Sequence, residues 1–176
     1  MTDKNIHVLI VEDTMTQALM LQHLLESHGY KTTITRSPGK ALEFLKDNKP
    51  DIILSDVSMP EMDGYELCRR LKGAKETAGI PFVLLSSFND PRDIVSIVNS
   101  RADTFMLKRF DEKYFLSRLE DLLESRKLRE ASKNGTETFV FQGANHEIIG
   151  DKTQLTDMVL SAFATVMHLL PLVHEE

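Results

Sequence analysis

Cys68 is the only cysteine in this chain of 176 residues. An internal disulfide is therefore impossible, and a reducing compartment such as the cytoplasm fits. Long apolar runs are missing too: no stretch approaches the ~18 consecutive apolar residues of a membrane span. The opening "MTDKNIHVLIVED" has too short an apolar run, interrupted by acids, for a secretory signal. Basic residues are in the minority. The 21 Lys and Arg face 27 Asp and Glu, a formal net charge of −6. A DNA-binding protein normally carries a basic footprint, so DNA binding is not expected. Internal repeats and low-complexity segments are absent. What remains is the composition of a globular protein, 41% hydrophobic and 27% charged, able to bury a core.

Short apolar runs alternate with helical patterns along the chain. "HVLIVED" reads as a buried strand. "TQALMLQHLLESHG" has helical spacing, with Gly29 as its stop. "YKTTIT" is rich in strand formers. "SPGKALEFLKDN" opens with Ser37 as an N-cap and Pro38 just inside. "DIILSD" is a strand, "DGYELCRRLKG" a helix and "PFVLLSS" a strand. "DPRDIVSIVNS" is a short helix, "TFMLKR" a strand, and "DEKYFLSRLEDLLESRKLRE" a long amphipathic helix. Strict alternation to about residue 130 predicts an α/β fold: a five-stranded parallel sheet with helices on both faces, joined by right-handed crossovers. The polar "ASKNGTE" marks a boundary. Residues 1–130 are expected to form one domain. Residues 131–176 are expected to form a hairpin, "TFVFQGANHEIIG", and an amphipathic helix, "DKTQLTDMVLSAFATVMHLL", stopped by Pro171.

In such folds functional groups collect at the carboxyl ends of the strands. The first strand ends in Glu12 and Asp13, the third in Asp56, the fourth in Ser86 and Ser87, and the fifth near Lys108. Any one of these acids alone reads as a helix cap; four strand ends together point to a site. Crowded carboxylates repel one another and raise one pKa. A hard divalent cation resolves that conflict, and magnesium binds through one or two carboxylates plus waters. With Lys108 as a positive charge and Ser86 as a hydroxyl donor, the site suits an anion at Asp56, and a phosphoryl group is the natural one. Phosphoryl transfer needs chiefly positioning and charge neutralisation, with Asp56 as the attacking carboxylate.

"VLIVED", "DIILSDVSMPEMDGYELCRRLK", "IPFVLLSS" and "ADTFMLKRF" together resemble the response-regulator receiver domains of two-component signalling, over roughly residues 5 to 130. The resemblance implies a flavodoxin-like, doubly wound fold. It implies Glu12 and Asp13 as acidic metal-site residues for Mg2+, Asp56 as phosphoacceptor and metal ligand, and Ser58 as a backbone-carbonyl ligand. It further implies Ser86 and Phe105 as switch residues and Lys108 as the lysine that pairs with phosphate. The phosphoryl donor would be a histidine kinase or phosphotransfer protein, and the domain would catalyse its own phosphotransfer and dephosphorylation. Two positions depart from the family. Ser87 stands where alanine is common. Arg109 follows Lys108 where the family usually has proline, often after a cis peptide. A cis bond before a non-proline residue costs about 2.5–4 kcal/mol, so a trans Lys108–Arg109 bond is expected.

Rival readings fail on particular residues. A haloacid-dehalogenase-type enzyme wants a second acid two residues after its aspartate; here that position is Ser58. A mononucleotide-binding fold wants glycines after the first strand, and "EDTMTQ" has none. Met59 and Met62 read as loop packing, Cys68 as a small buried hydrophobe, and His23, His28 and His146 as surface. Residues 131–176 hold two lysines and six acids, unlike a DNA-reading domain. Leu155, Val159, Ala162, Val166 and Leu169 share one heptad seam. A homodimer held largely by residues 152–170, with help from the helix beginning near Asp111, is expected; the other reading is a helix folded back on its own domain. The alternatives are the receiver part of a longer hybrid histidine kinase or diguanylate cyclase, or a stand-alone receiver that acts by binding a partner.

Overall fold

The computed structural model describes residues 5–87, 93–131, 137–141 and 144–148. Five strands, β1 (His7–Val11), β2 (Lys31–Thr35), β3 (Ile52–Asp56), β4 (Phe82–Ser86) and β5 (Thr104–Leu107), alternate with five helices. The helices are α1 (Met15–Ser27), α2 (Pro38–Asp47), α3 (Gly64–Gly73), α4 (Asp93–Ser100) and α5 (Glu112–Ala131). All pairings within the sheet are parallel, in the order β2-β1-β3-β4-β5. This is the doubly wound arrangement that the alternation predicts.

Sequence period explains which helix goes where. Successive strand side chains point to opposite faces. Val8, Ile10, Ile52, Leu54, Val83, Leu85 and Met106 face one way, where Leu21 and Leu25 of α1 and Phe115 and Leu119 of α5 complete a core. Leu9, Val11, Ile53, Phe82 and Leu84 face the other way, against Ala41 of α2, Leu67, Cys68 and Leu71 of α3, and Ile97 of α4. Strands β1, β3 and β4 are covered on both faces, so they read as unbroken apolar runs. Strand β2 is an edge and can keep its polar Lys-Thr-Thr. Each leucine fully removed from water contributes about 1.5–3 kcal/mol, which makes these two layers the main stabilising term.

Helix ends follow their local signals. The Ser37 side chain accepts from the Lys40 amide at 3.3 Å, with Pro38 in the first turn of α2. Gly29, at φ 84°, stops α1; its amide bonds to Glu26 O while the Tyr30 amide bonds to Leu25 O. Those two bonds are the Schellman pattern, which glycine serves because left-handed backbone costs it nothing. Far from the strand ends that carry the acids, Lys72 Nζ donates to Ala78 O at 3.2 Å, Ile80 O at 2.9 Å and Asp103 Oδ2 at 2.5 Å. Asp103 Oδ2 also accepts from the Phe82 amide at 2.8 Å, so one ion pair ties α3, β4 and the lead into β5.

Cys68 is fully buried, and burial pushes its thiol pKa up to about 11, as suits a small core hydrophobe. Met59 and Met62 pack against the second core, as loop packing requires. Among the described residues no helix is long and apolar enough to cross a membrane. The expected hairpin forms from β6 (Glu137–Phe141) and β7 (Ala144–Ile148), paired antiparallel with β6 beside α5. The expected helix at 152–170 lies outside the described residues.

Candidate functional site

The strand order reverses direction between β1 and β3: from β1 the chain goes to β2 on one side, then crosses to β3 on the other. A crevice opens at the carboxyl ends of strands at such a point. Glu12 follows β1, and its amide extends the ladder by bonding to Thr35 O at 3.1 Å. Asp56 is the last residue of β3, and Ser86 the last of β4. The Lys108 amide bonds to Ser86 O at 2.9 Å, which fixes where the lysine leaves β5.

Three carboxylates meet there. One oxygen each from Glu12, Asp13 and Asp56 lie within 4.8 Å of one another. Glu12 is 1% exposed and Asp56 4%, while Asp13 is half-buried. Burial raises the Glu12 pKa above its ordinary value, and the neighbouring Asp56 charge raises it further; Lys108 pulls the other way. The crowding that the sequence predicts thus falls on Glu12. Lys108 Nζ lies 2.9 Å from Asp56 Oδ1 and 3.1 Å from Glu12 Oε2, and donates to Gln17 Oε1 at 2.6 Å. The three carboxylates and one ammonium leave a local excess of negative charge, and the donors are all hard oxygens. That donor set fits a divalent cation of the magnesium type.

Backbone geometry holds Asp56 in place. Its Oδ1 accepts from the Ser58 amide at 3.2 Å. The chain then turns through Glu61 at φ 68° and returns so closely that Gly64 N bonds to Val57 O at 2.9 Å. A Cβ on Gly64 would stand 2.2 Å from the Asp56 carbonyl oxygen. Only glycine permits that approach. Asp63 then caps α3, its side chain accepting from the Glu66 amide at 2.7 Å. Asp13 is placed by its own neighbours: Arg36 Nη2 donates to its carbonyl at 2.6 Å, and the Thr14 hydroxyl to Oδ1 at 3.4 Å.

The structure brings Glu12, Asp13, Asp56 and Lys108 together as predicted, with Ser86 buried at the adjoining strand end. Ser58 contributes its amide to Asp56 here. Phe105 pairs with Leu84 across β5 and β4 and packs, partly buried, on the second core. The Lys108–Arg109 peptide is trans, as its cost implies. Two residues carry no clear mark in the sequence. Gln17 is an ordinary polar residue on an exposed helix turn, and nothing in its spacing singles it out. Gly64 could have been found from "DG" before a helix, where a close backbone approach is one standard reason for glycine.

A doubly wound parallel sheet with an acid cluster and a lysine at its switch point defines a receiver-type signalling module. The chain belongs to the response regulator receiver domain family, whose model matches residues 8–120. It is 38% identical over 103 residues to the two-component response regulator ORR3 of Oryza sativa subsp. indica, covering 58% of this chain and 79% of that one. It is 37% identical over 119 residues to histidine kinase P4 of Formosa agariphila, covering 68% of this chain but only 9% of that protein. Among solved structures it is similar to the signal receiver domain of a signal transduction histidine kinase from Syntrophus aciditrophicus. That match has 41% identity and a TM-score of 0.65, over 77% of this chain and 98% of that one. The chain is therefore a two-component receiver with an acidic pocket for phosphoacceptance.

The close approach at Gly64 yields a direct test. Gly64→Ala must displace the backbone of Asp56, an overpacking that costs about 1–3 kcal/mol. A lower urea midpoint with an unchanged slope is the expected outcome; an unaltered midpoint would show that the loop relaxes freely.

Proposed function

We propose that Asp56 accepts the phosphoryl group, and that the donor is a phosphohistidine on a histidine kinase or phosphotransfer protein. The observation that carries this is the Lys108 ammonium bonded to the buried Asp56 carboxylate beside two further acids. An Asp56 carboxylate oxygen attacks phosphorus, forming an O–P bond as the P–N bond to the donor imidazole breaks. The imidazole nitrogen keeps the electron pair. The Ser58 amide and Lys108 hold Oδ1, so the carboxylate meets the donor in one orientation. Glu12, Asp13, Asp56 and the Ser58 backbone carbonyl are the residues that would hold Mg2+. Magnesium, when bound, supplies charge neutralisation to the phosphoryl oxygens. Lys108 then pairs with the new phosphate. Ser86 donates its hydroxyl to it, and Phe105 follows that movement as the second switch residue.

Residues 1–130 serve as the receiver and 131–176 as an output or linker segment. Its apolar stripe at 152–170 supports a homodimer, since a wide apolar face must be covered. The likeness to a kinase receiver favours a second reading, in which the segment works within or beside a larger kinase.

Three measurements check these statements. Incubation with acetyl phosphate and magnesium should add one phosphoryl group to the intact mass, and Asp56→Ala should remain unlabelled. Labelling of that variant at the parent level would reassign the acceptor. Magnesium should raise the melting temperature by mass action, and Asp13→Asn should shrink the rise. A parent protein indifferent to magnesium would count against the metal site. Light scattering should give a dimer for the full chain and a monomer for a version ending at residue 130. A monomeric full chain at tens of micromolar would remove the dimer.

A further inference from the structure

Three side-chain oxygens surround the Lys108 ammonium. It donates to Glu12 Oε2 at 3.1 Å and forms an ion pair with Asp56 Oδ1 at 2.9 Å. It also donates to the Gln17 side chain, whose Oε1 lies 2.6 Å from Nζ. A lysine ammonium can only donate, so the facing Gln17 atom is its carbonyl oxygen. Gln17 sits in the first turn of α1, on the wall of a cleft of about 410 Å3 shared with Glu12, Met20, Leu24, Lys108 and Phe110. The position of Lys108 makes this contact informative. It leaves the edge strand β5, yet its ammonium reaches Glu12 beyond β1, past the ends of β4 and β3. A long flexible stem loses rotamer freedom when held so extended. Gln17 meets it at the far end of its reach.

We propose that Gln17 is a positioning residue for phosphoryl transfer: its amide oxygen holds the Lys108 ammonium out over Asp56, then yields that hydrogen to the arriving phosphoryl group. The inference rests on Asp56 as the acceptor. The physical reason for the exchange is the ranking of the acceptors. Every one of these contacts has an ionised donor, but Gln17 is the only uncharged partner, so it lacks the Coulomb attraction that the two carboxylates add. It also faces the open cleft, whereas Glu12 and Asp56 are buried. A phosphoryl oxygen, charged and arriving at Asp56, displaces the amide first. When phosphate leaves, the amide takes the hydrogen back and restores the resting contacts. A neutral amide suits this role because a fourth carboxylate would compete with phosphate for the lysine.

The test replaces Gln17 by methionine, which keeps the length and helix propensity but removes the strong acceptor. In the full chain with acetyl phosphate and magnesium, the initial rate of Asp56 labelling should fall about three- to tenfold, as for the loss of one hydrogen bond of ordinary net strength. In a Lys108→Ala background, Gln17→Met should change nothing further, because the lysine it acts through is gone. The 15N signal of the Lys108 ammonium should shift in Gln17→Met while that of Lys72 stays put, a readout independent of labelling. An unchanged rate, equal slowing with and without Lys108, or an unmoved Lys108 signal would each overturn the assignment. Should Lys108→Ala label too slowly to compare, the ammonium signal decides. Labelling of Asp56→Ala would instead overturn the acceptor, and the Lys108 signal would then decide whether Gln17 holds the lysine.

Discussion

The contact of Lys108 with Glu12 and Asp56 is the interaction on which the site depends. Two buried carboxylates and a third beside them are costly to assemble, because each gives up water and repels its neighbours. The raised pKa of Glu12 records that cost, with burial as its first cause and the Asp56 charge as its second. Lys108 offsets part of it but cannot neutralise three acids. The remaining negative charge is what suits the cluster to a divalent cation, and under the proposed function a bound cation would let a phosphoryl anion approach. Each successive guest is favoured by the imbalance that the previous one leaves.

Lys72 shows how the same side chain is used when nothing must move. Its three acceptors, Ala78 O, Ile80 O and Asp103 Oδ2, satisfy it completely. The Asp103 carboxylate also takes the Phe82 amide, so that pair is locked into the sheet. Both lysines face three oxygens. Two of those around Lys72 are backbone carbonyls, which cannot leave without breaking the fold. All three around Lys108 are side chains, which can exchange partners while the strands stay fixed. One pair holds the domain shut; the other is held by the domain in a state that can change.

The fold was legible because its strands are buried on both faces. Continuous runs such as "HVLIV" and "FVLLS" are unusual except in a covered parallel sheet, and the alternation with helices then leaves few topologies. The acids and Lys108 were legible for a related reason: a charged residue at the end of an apolar run stands out. Glu12 and Asp56 announce themselves by where they stop a strand. Gln17 has no such contrast. It is a polar residue among exposed positions of a helix, and only the reach of Lys108 across the sheet selects it. Gly64 differs: "DG" before a helix flags it, but that signal does not say what the glycine is for. Its importance lies in a backbone approach of Val57 and Asp56, which exists only after the loop has folded.

These hidden residues share a property that bears on how receivers with the same acids can differ. The carboxylates and the lysine fix what chemistry is possible, since without them there is no charge to balance and, under the proposed function, no nucleophile. Gln17 and Gly64 touch that machinery from outside it, one through the free end of the lysine and one through the backbone behind the aspartate. Either can change in size or polarity without deleting a reacting group. Such positions can adjust how firmly Lys108 is held or how rigidly Asp56 is presented, and hence the rate and persistence of the modified state. The cleft beside Gln17 carries this further. Its wall includes Met20, 68% exposed, on the helix that bears Gln17, so a partner seated against α1 would press on the same turn that holds the lysine. The strand order makes the contact possible: β1 lies at the switch point, so the first turn of α1, which follows it, stands where Gln17 meets the ammonium that Lys108 carries across from β5.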